Sequence, residues 1–334
     1  MKNKKTILIV LAILAVVVIA SGCLAKFYVF AQWKHSDIRL NIAAGCDVRQ
    51  AITSQLGASF GDKVYNLWHW QGGEAANAYG SYIIKTGDEA VRVARRIAHG
   101  NQTPIRMTFN NMRTFKDFSS RIASQMEFDE QAFTSACDSI LPGRGFNSDN
   151  YISAFLPDTY EFYWTASPAT VIEKLMAERD KFWNDSRKAK AEALGLTPNE
   201  IHILTSIAAS ESNKSNEWGP IARLYLNRIG KGMLLQADPT VVFATGDFSI
   251  RRVTGTHLRT DSPYNTYIYK GLPPGPIRMV DRQQLDEVLN SEANDYLYMC
   301  AKPDFSGYHN FAKDYNRHRL NAALYYRALE ARGI

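Results

Sequence analysis

From Thr6 to Ala25 the chain TILIVLAILAVVVIASGCLA carries no charged residue. At about 1.5 Å of helical rise per residue, a run of this length reaches across the ~30 Å of a bilayer's hydrocarbon. Lys2, Lys4 and Lys5 flank it upstream, so the positive-inside rule keeps the N-terminus cytoplasmic and sends the rest outward. Residues 1–6 are expected as a cytoplasmic tail and 7–30 as a transmembrane anchor. Two alternatives stay open. One is a cleaved signal peptide, whose apolar core is usually shorter. The other is a lipoprotein signal: ASGC at Ala20–Cys23 resembles a cleavage site but lacks the usual leucine three before the cysteine.

Beyond the anchor the pattern changes period. IRLNIAAGCDVRQAITSQLG, Ile38 to Gly57, alternates like a strand and then runs into a helix. YGSYIIKTGDEAVRVARRIAHG, Tyr79 to Gly100, repeats the scheme, with a turn at Thr86-Gly87-Asp88 and Gly100 as helix stop. PIRMTFNNMRTFKDFSSRIASQM is a third round. Three strand-then-helix units argue for a small α+β region. Residues 118–150 read as mostly polar helix and loop. SAFLPDTYEFYW then marks entry into a second, mainly helical region.

There, LTPNEIHILTSIAASES carries Thr197 as N-cap, Pro198 at the first helical position and Glu200 to close a capping box. Ile201, Leu204 and Ala208 form an apolar stripe that Glu211 continues. EWGPIARLYLNRIGKG is a second helix stopped by Gly230 and Gly232, and DPTVVFATG a short third with Asp238 as expected N-cap. YLYMCAK reads as a strand, followed by a long helix from about Asn316.

Composition narrows the class. Of the 334 residues 46% are hydrophobic and 12% aromatic, values of a folded globular chain long enough for two domains. The formal charge is +6, but Lys2, Lys4, Lys5, Lys26 and Lys34 contribute five of it with no acid beside them. The remainder holds 34 basic against 33 acidic residues, which gives no support for nucleic-acid binding. Cys23 falls in the anchor. Cys46, Cys137 and Cys300 fit neither a zinc site nor a complete disulfide framework, and are expected as small core residues.

Candidate chemistry centres on Glu211. A carboxyl ending an apolar stripe is desolvated, which raises its pKa and suits an acid working near neutrality, unless the side chain turns into water at a frayed helix end. Glu217 reads either as a second carboxylate or as a helix-start acid favoured by the dipole. DSPYNTYIYKGLPPGPI, Asp261 to Ile277, is stiff and aromatic. It reads either as a proline-pinned connector or as the wall of a binding site. No His-Glu-x-x-His motif, Gly-x-Ser-x-Gly elbow, P-loop or dinucleotide fingerprint occurs. His309 and His318 read as structural hydrogen-bonders rather than ligands.

SIAASESNKSNEWGPIARLYLNRIGKGMLLQADPTVVFATG, followed by the tyrosine- and proline-rich loop, resembles the membrane-anchored endolytic murein (lytic) transglycosylase family. FLPDTYEF and HNFAKDYNRH match family blocks in the same order. The resemblance covers the whole chain, densely from Phe155 to His318 and thinly from Ile38 to Asn150, where the family carries a LysM-like region. It implies an N-terminal membrane helix, a LysM-like α+β region over 35–150, and a mixed α+β catalytic domain over 151–334 with a helix-borne glutamate. The family's catalytic glutamate falls on Glu211. Its downstream glutamate falls on Glu217, and the Gln-x-Asp-Pro-Thr block on Gln236, Asp238 and Thr240. Tyr264, Asn265, Thr266 and Tyr267 would belong to the glycan cleft.

The implied activity breaks the MurNAc-β-1,4-GlcNAc bond and leaves a 1,6-anhydro end, with no metal or cofactor. The site would face the periplasmic side of the inner membrane, acting on peptidoglycan strands and working with peptidoglycan synthases. A two-carboxylate glycoside hydrolase and a non-catalytic peptidoglycan-binding scaffold are the alternatives. Two departures stand. Ala209 lies where members often have an acid, and the usual Pro-Glu-Gly is replaced by Asn110-Asn111-Met112.

Overall fold

The computed structural model describes residues 2–110 and 112–333. Asn111 of the Asn-Asn-Met departure and Met1 of the expected tail therefore lie outside the described residues. The fold is mixed α+β, and the chain divides into two compact units. One takes residues up to 107 with 125–127 and 161–166, the other 108–124, 128–160 and 167 onward.

The first unit opens with α1 (Lys2–Val29), whose stretch Ile7–Val29 is long and apolar enough to cross a membrane. Then follow β1 (Ile38–Ile42), α2 (Val48–Trp70), the short α3 (Ala75–Ala78), β2 (Gly80–Ile84), α4 (Ala90–Ala98) and β3 (Ile105–Phe109). β1 and β2 pair antiparallel, with Leu40 opposite Tyr82 and Ile38 opposite Ile84. Their inward side chains meet Val93, Ala94 and Ile97 of α4, spaced along one helical face, to form a closed core. Gly57 does not end the helix as its type suggests. It adopts φ 73° and ψ 154°, a break across which α2 resumes to Trp70. Past α1, Trp33 is buried and exchanges backbone bonds with Gly87 and Asp88, tying this segment into the unit.

The second unit contains α5 (Phe115–Ala123), α6 (Glu130–Ile140), α7 (Pro168–Phe182), α8 (Asp185–Ala193), α9 (Pro198–Glu211), α10 (Ser215–Gly230), α11 (Asp238–Thr245), α12 (Arg282–Leu289), β5 (Tyr298–Ala301), β6 (His309–Ala312) and α13 (Tyr315–Glu330). Before α7 comes the short strand β4 (Asp158–Phe162). The stretch expected as mostly polar contributes an aromatic cluster: Phe118 stacks on Phe155 at 4.7 Å and meets Phe133 edge-on. Cys137 is buried there, its thiol pushed up to about 12 by desolvation, whereas Cys46 and Cys300 are only partly buried.

The capping box foreseen for α9 is present, with Thr197 and Glu200 bonded reciprocally. The single apolar stripe understates this helix: every residue from Ile201 to Ala209 is buried. It is enclosed by α8, α10, α11 and α12, so even Ser206 is internal, where its hydroxyl donates to Ile203 O and accepts from the Ile277 amide. A helix held on all sides fixes the position of its last residue, Glu211.

Candidate active site

Glu211 ends α9 where the chain turns extended at Ser212. The turn is tightly bonded: the Trp218 indole donates to Ser212 O at 2.7 Å, and Ser212 Oγ donates to Glu217 Oε2 at 2.7 Å. Glu217, 5% exposed, is thereby turned away from solvent. Its Oε1 accepts the His309 backbone N–H at 2.7 Å, and its Oε2 lies 2.9 Å from His309 Nδ1. The carboxylate joins the first turn of α10 to the start of β6. His309, read as a structural hydrogen-bonder, makes that bond.

One turn apart on α10, Tyr225 and Arg228 face the end of α9. The buried phenol of Tyr225 donates to Glu211 Oε1 at 2.8 Å. Arg228, also buried, donates to Leu297 O and Leu235 O, both at 2.7 Å. Burial pushes the Glu211 carboxyl up to about 7, and the negative charge of Asp238 adds to the rise, while the Tyr225 hydroxyl and the Arg228 charge partly oppose it. The carbonyl end of α9 adds a dipole of the same disfavouring sign. Near pH 7 this carboxyl can hold or release a proton, as an acid–base group must.

Glu211 opens onto a cleft of about 680 Å³. Asp238, Ala209 and Pro239 share its wall, together with Phe243, Phe248, Arg113, Arg251, Arg252 and Arg278. Asp238 is not the N-cap of α11; Ala237 is, and Asp238 occupies the first helical position with no capping bond. Its carboxylate instead accepts the Tyr267 hydroxyl at 2.6 Å. Helix boundaries shift by one residue easily, and the Asp238 side chain is engaged by a hydroxyl from the following loop rather than by a backbone N–H of α11.

The remaining expected site residues do not line this cleft. Thr240 and Thr266 are buried and bonded to each other at 2.8 Å, and Thr266 also accepts the Ala237 amide. Gln236 gives its amide to Thr266 O and sits in the left-handed region, φ 50°, with its side chain exposed. Asn265 is buried and donates to Leu258 O and Thr260 O. Tyr264 packs on Phe243 at 4.7 Å and reaches Asp149 O at 3.3 Å. Most of it is a locked connector, while Tyr267 reaches the site by bonding Asp238 and Tyr264 backs a lining ring.

Tyr225 and the four arginines were not singled out from sequence. The adjacent pair Arg251-Arg252 in SIRRV was the one available local signal.

Comparison with known proteins agrees with this architecture. The profile of the YceG-like family matches residues 42–323. An endolytic murein transglycosylase of Bacillus subtilis is 32% identical over 146 residues, which are 44% of this chain and 40% of that protein. One from Streptococcus pneumoniae is 26% identical over 166 residues, 48% of this chain and 29% of the other. The matched part therefore spans less than half the length of these relatives. The crystal structure of a YceG-like protein from Listeria monocytogenes superposes with a TM-score of 0.54 at 23% identity, covering 85% of this chain and 99% of that one, and so shares the fold. With its match running from the end of β1 into α13, the chain belongs to the YceG-like family.

Proposed function

We propose that the protein is an endolytic peptidoglycan lytic transglycosylase with Glu211 as its acid–base group. The observation that carries this reading is a single carboxyl poised near neutrality at the wall of the cleft. The relatives' name, endolytic murein transglycosylase, supports it. In this mechanism Glu211 protonates the glycosidic oxygen as the bond from the muramyl C1 breaks. It then takes the proton of the muramyl 6-hydroxyl, whose oxygen closes on C1 to form the 1,6-anhydro ring. The nucleophile belongs to the substrate, so one carboxyl suffices where ordinary glycosidases use two. Tyr225 orients Glu211, and Glu217 stays outside the chemistry because its oxygens are engaged by Ser212 and His309. Gln236, Thr240, Asn265 and Thr266 support the wall, while Asp238 and Tyr267 are the expected glycan neighbours.

The same proposal assigns α1 as a single-pass anchor with the site on the periplasmic side, where cleavage would release or terminate nascent strands beside their synthases. The length and apolarity of Ile7–Val29 and the upstream lysines support the anchor. It also takes 35–150 as a LysM-like region that holds glycan and 151–334 as the catalytic domain.

Purified protein incubated with sacculi tests the reaction. Mass spectrometry should find anhydro-muramyl ends, lighter by one water than hydrolytic ends. A second reading, a two-carboxylate hydrolase, gains from Asp238, which shares the cleft and raises the Glu211 pKa. Reducing ends with added water would select it. Binding of sacculi without any product would select a scaffold instead.

A further inference from the structure

The cleft is more basic than a chain of neutral sugars requires. Arg113, Arg251, Arg252 and Arg278 line it, against the carboxylates of Glu211 and Asp238. Among the described residues, no carboxylate lies at ion-pair distance from Arg113, Arg251 or Arg252. Arg113 is held on the wall by its stacking over Phe248 at 4.8 Å. Burial, and then the like charge of Arg113, depress the Arg278 guanidinium below its usual range, with the Asp281 charge opposing, and both arginines line the cleft. Arg251 and Arg252 are exposed at the rim. Grouped like charges repel one another, and an incoming anion relieves that repulsion.

The β-1,4 backbone of N-acetylated amino sugars has no charge. The carboxylates of peptidoglycan are carried by the muramyl residues, either on the lactyl ether or along the peptide stem attached to it. A guanidinium presents a planar fork of donors that matches a carboxylate. We propose that Arg113, Arg251, Arg252 and Arg278 bind carboxylates carried by the muramyl residues, so that the cleft distinguishes peptidoglycan from uncharged β-1,4 glycans. This rests on the peptidoglycan reading above.

Binding to the full-length Glu211→Gln protein in detergent tests it without cleavage. The probes are stem-bearing strands, strands stripped by an amidase so that only lactyl carboxylates remain, and neutral chito-oligosaccharides of matched length. Stem-bearing strands should bind on the order of tenfold or more tighter than the neutral oligosaccharides, as expected for charge-assisted hydrogen bonds. The preference should shrink as salt is raised. It should also fall towards unity in the Arg251→Ala/Arg252→Ala protein and when the strands' carboxylates are amidated, a change that leaves the protein untouched. Stripped strands binding more tightly than stem-bearing ones would locate the contact at the lactyl carboxylate, which the amidase frees; equal binding would show that the arginines take either carboxylate; stripped strands as weak as the neutral ones would locate the contact on the stem. Equal binding of neutral and stem-bearing strands, or a preference that survives amidation, overturns the proposal. A carboxylate preference without anhydro product from the wild-type protein would overturn the transglycosylase reading alone.

Discussion

The Tyr225 hydroxyl donates to Glu211 Oε1 at 2.8 Å from a fully buried position one helix away. A donor of this kind favours the charged carboxylate, so it holds the Glu211 pKa lower than burial alone would set it. Tyr225→Phe keeps the ring and removes the donor. The Glu211 pKa should then rise above its value of about 7. Since the first half of the proposed reaction needs the protonated acid, the alkaline limb of kcat/KM should move to higher pH. Turnover below pH 6 should fall by about tenfold or less, because orientation is weakened but the proton is kept. An unmoved alkaline limb would remove Tyr225 from the site.

Glu211→Gln makes a two-part prediction. Removing the transferable proton should abolish detectable anhydro product, since a positioned acid–base group is typically worth about 10²–10⁴-fold and this one serves both halves. Stability should change with a definite sign. The folded pKa of about 7 lies above the ordinary 4.5. Stability linked to the protonated form is therefore fully present below pH 4.5 and is lost as pH rises through 7. Wild type and variant should melt alike near pH 4. At pH 8 the variant should be the more stable, by on the order of 1–3 kcal/mol. Melting curves at the two pH values check this, and a variant less stable at pH 8 would contradict the buried-carboxyl assignment.

How much of this was legible beforehand depended on range. The Thr197–Glu200 box that starts α9 and the glutamate that ends it are local features, and both stand in the structure as expected. The face of α4 built from Val93, Ala94 and Ile97 follows from helical spacing alone. Burial of α9 on all sides did not follow, because it depends on helices supplied by other stretches of chain. Glu217 shows the same limit. Its meaning comes from His309, 92 positions away, and periodicity carries no information about such a partner. The loop tyrosines were recognisable as unusual, but whether each ring faced the cleft or the core was decided by Phe243, Asp149 and Asp238.

Glu217→Gln should behave as a structural change. The Glu217 side chain accepts the His309 amide and the Ser212 hydroxyl and lies beside His309 Nδ1. Hydrogen bonds to a charged group contribute about 1.5–3 kcal/mol each, and the amide keeps only part of that set. The variant should lose about 1–3 kcal/mol of stability. Its folded fraction should still release the same anhydro product within about tenfold of the wild-type rate, short of the 10²–10⁴-fold owed to a positioned acid–base group. Loss of product at unchanged stability would return Glu217 to the chemistry.

Gly275 tests whether the proline-rich loop holds the site in place. A Cβ built on it would fall 1.9 Å from Asp149 O and 2.7 Å from Tyr264 Oη, far inside contact distance. Two residues on, the Ile277 amide is bonded to Ser206 in the centre of α9, so the loop has little room to retreat without disturbing the helix that carries Glu211. Gly275→Ala should cost about 1–3 kcal/mol, the usual range for overpacking, and should lower kcat along with the melting temperature. Gly271 is the control in the same loop. It has φ 84° with nothing within 4 Å of an added Cβ. Gly271→Ala should therefore cost only the left-handed backbone penalty of about 1–2 kcal/mol. Because that penalty is confined to an open turn, kcat should stay near wild type. Equal kcat in the two variants would show that the contact at Asp149 does not hold the site, and a Gly275→Ala protein that melts like wild type would show that the loop yields.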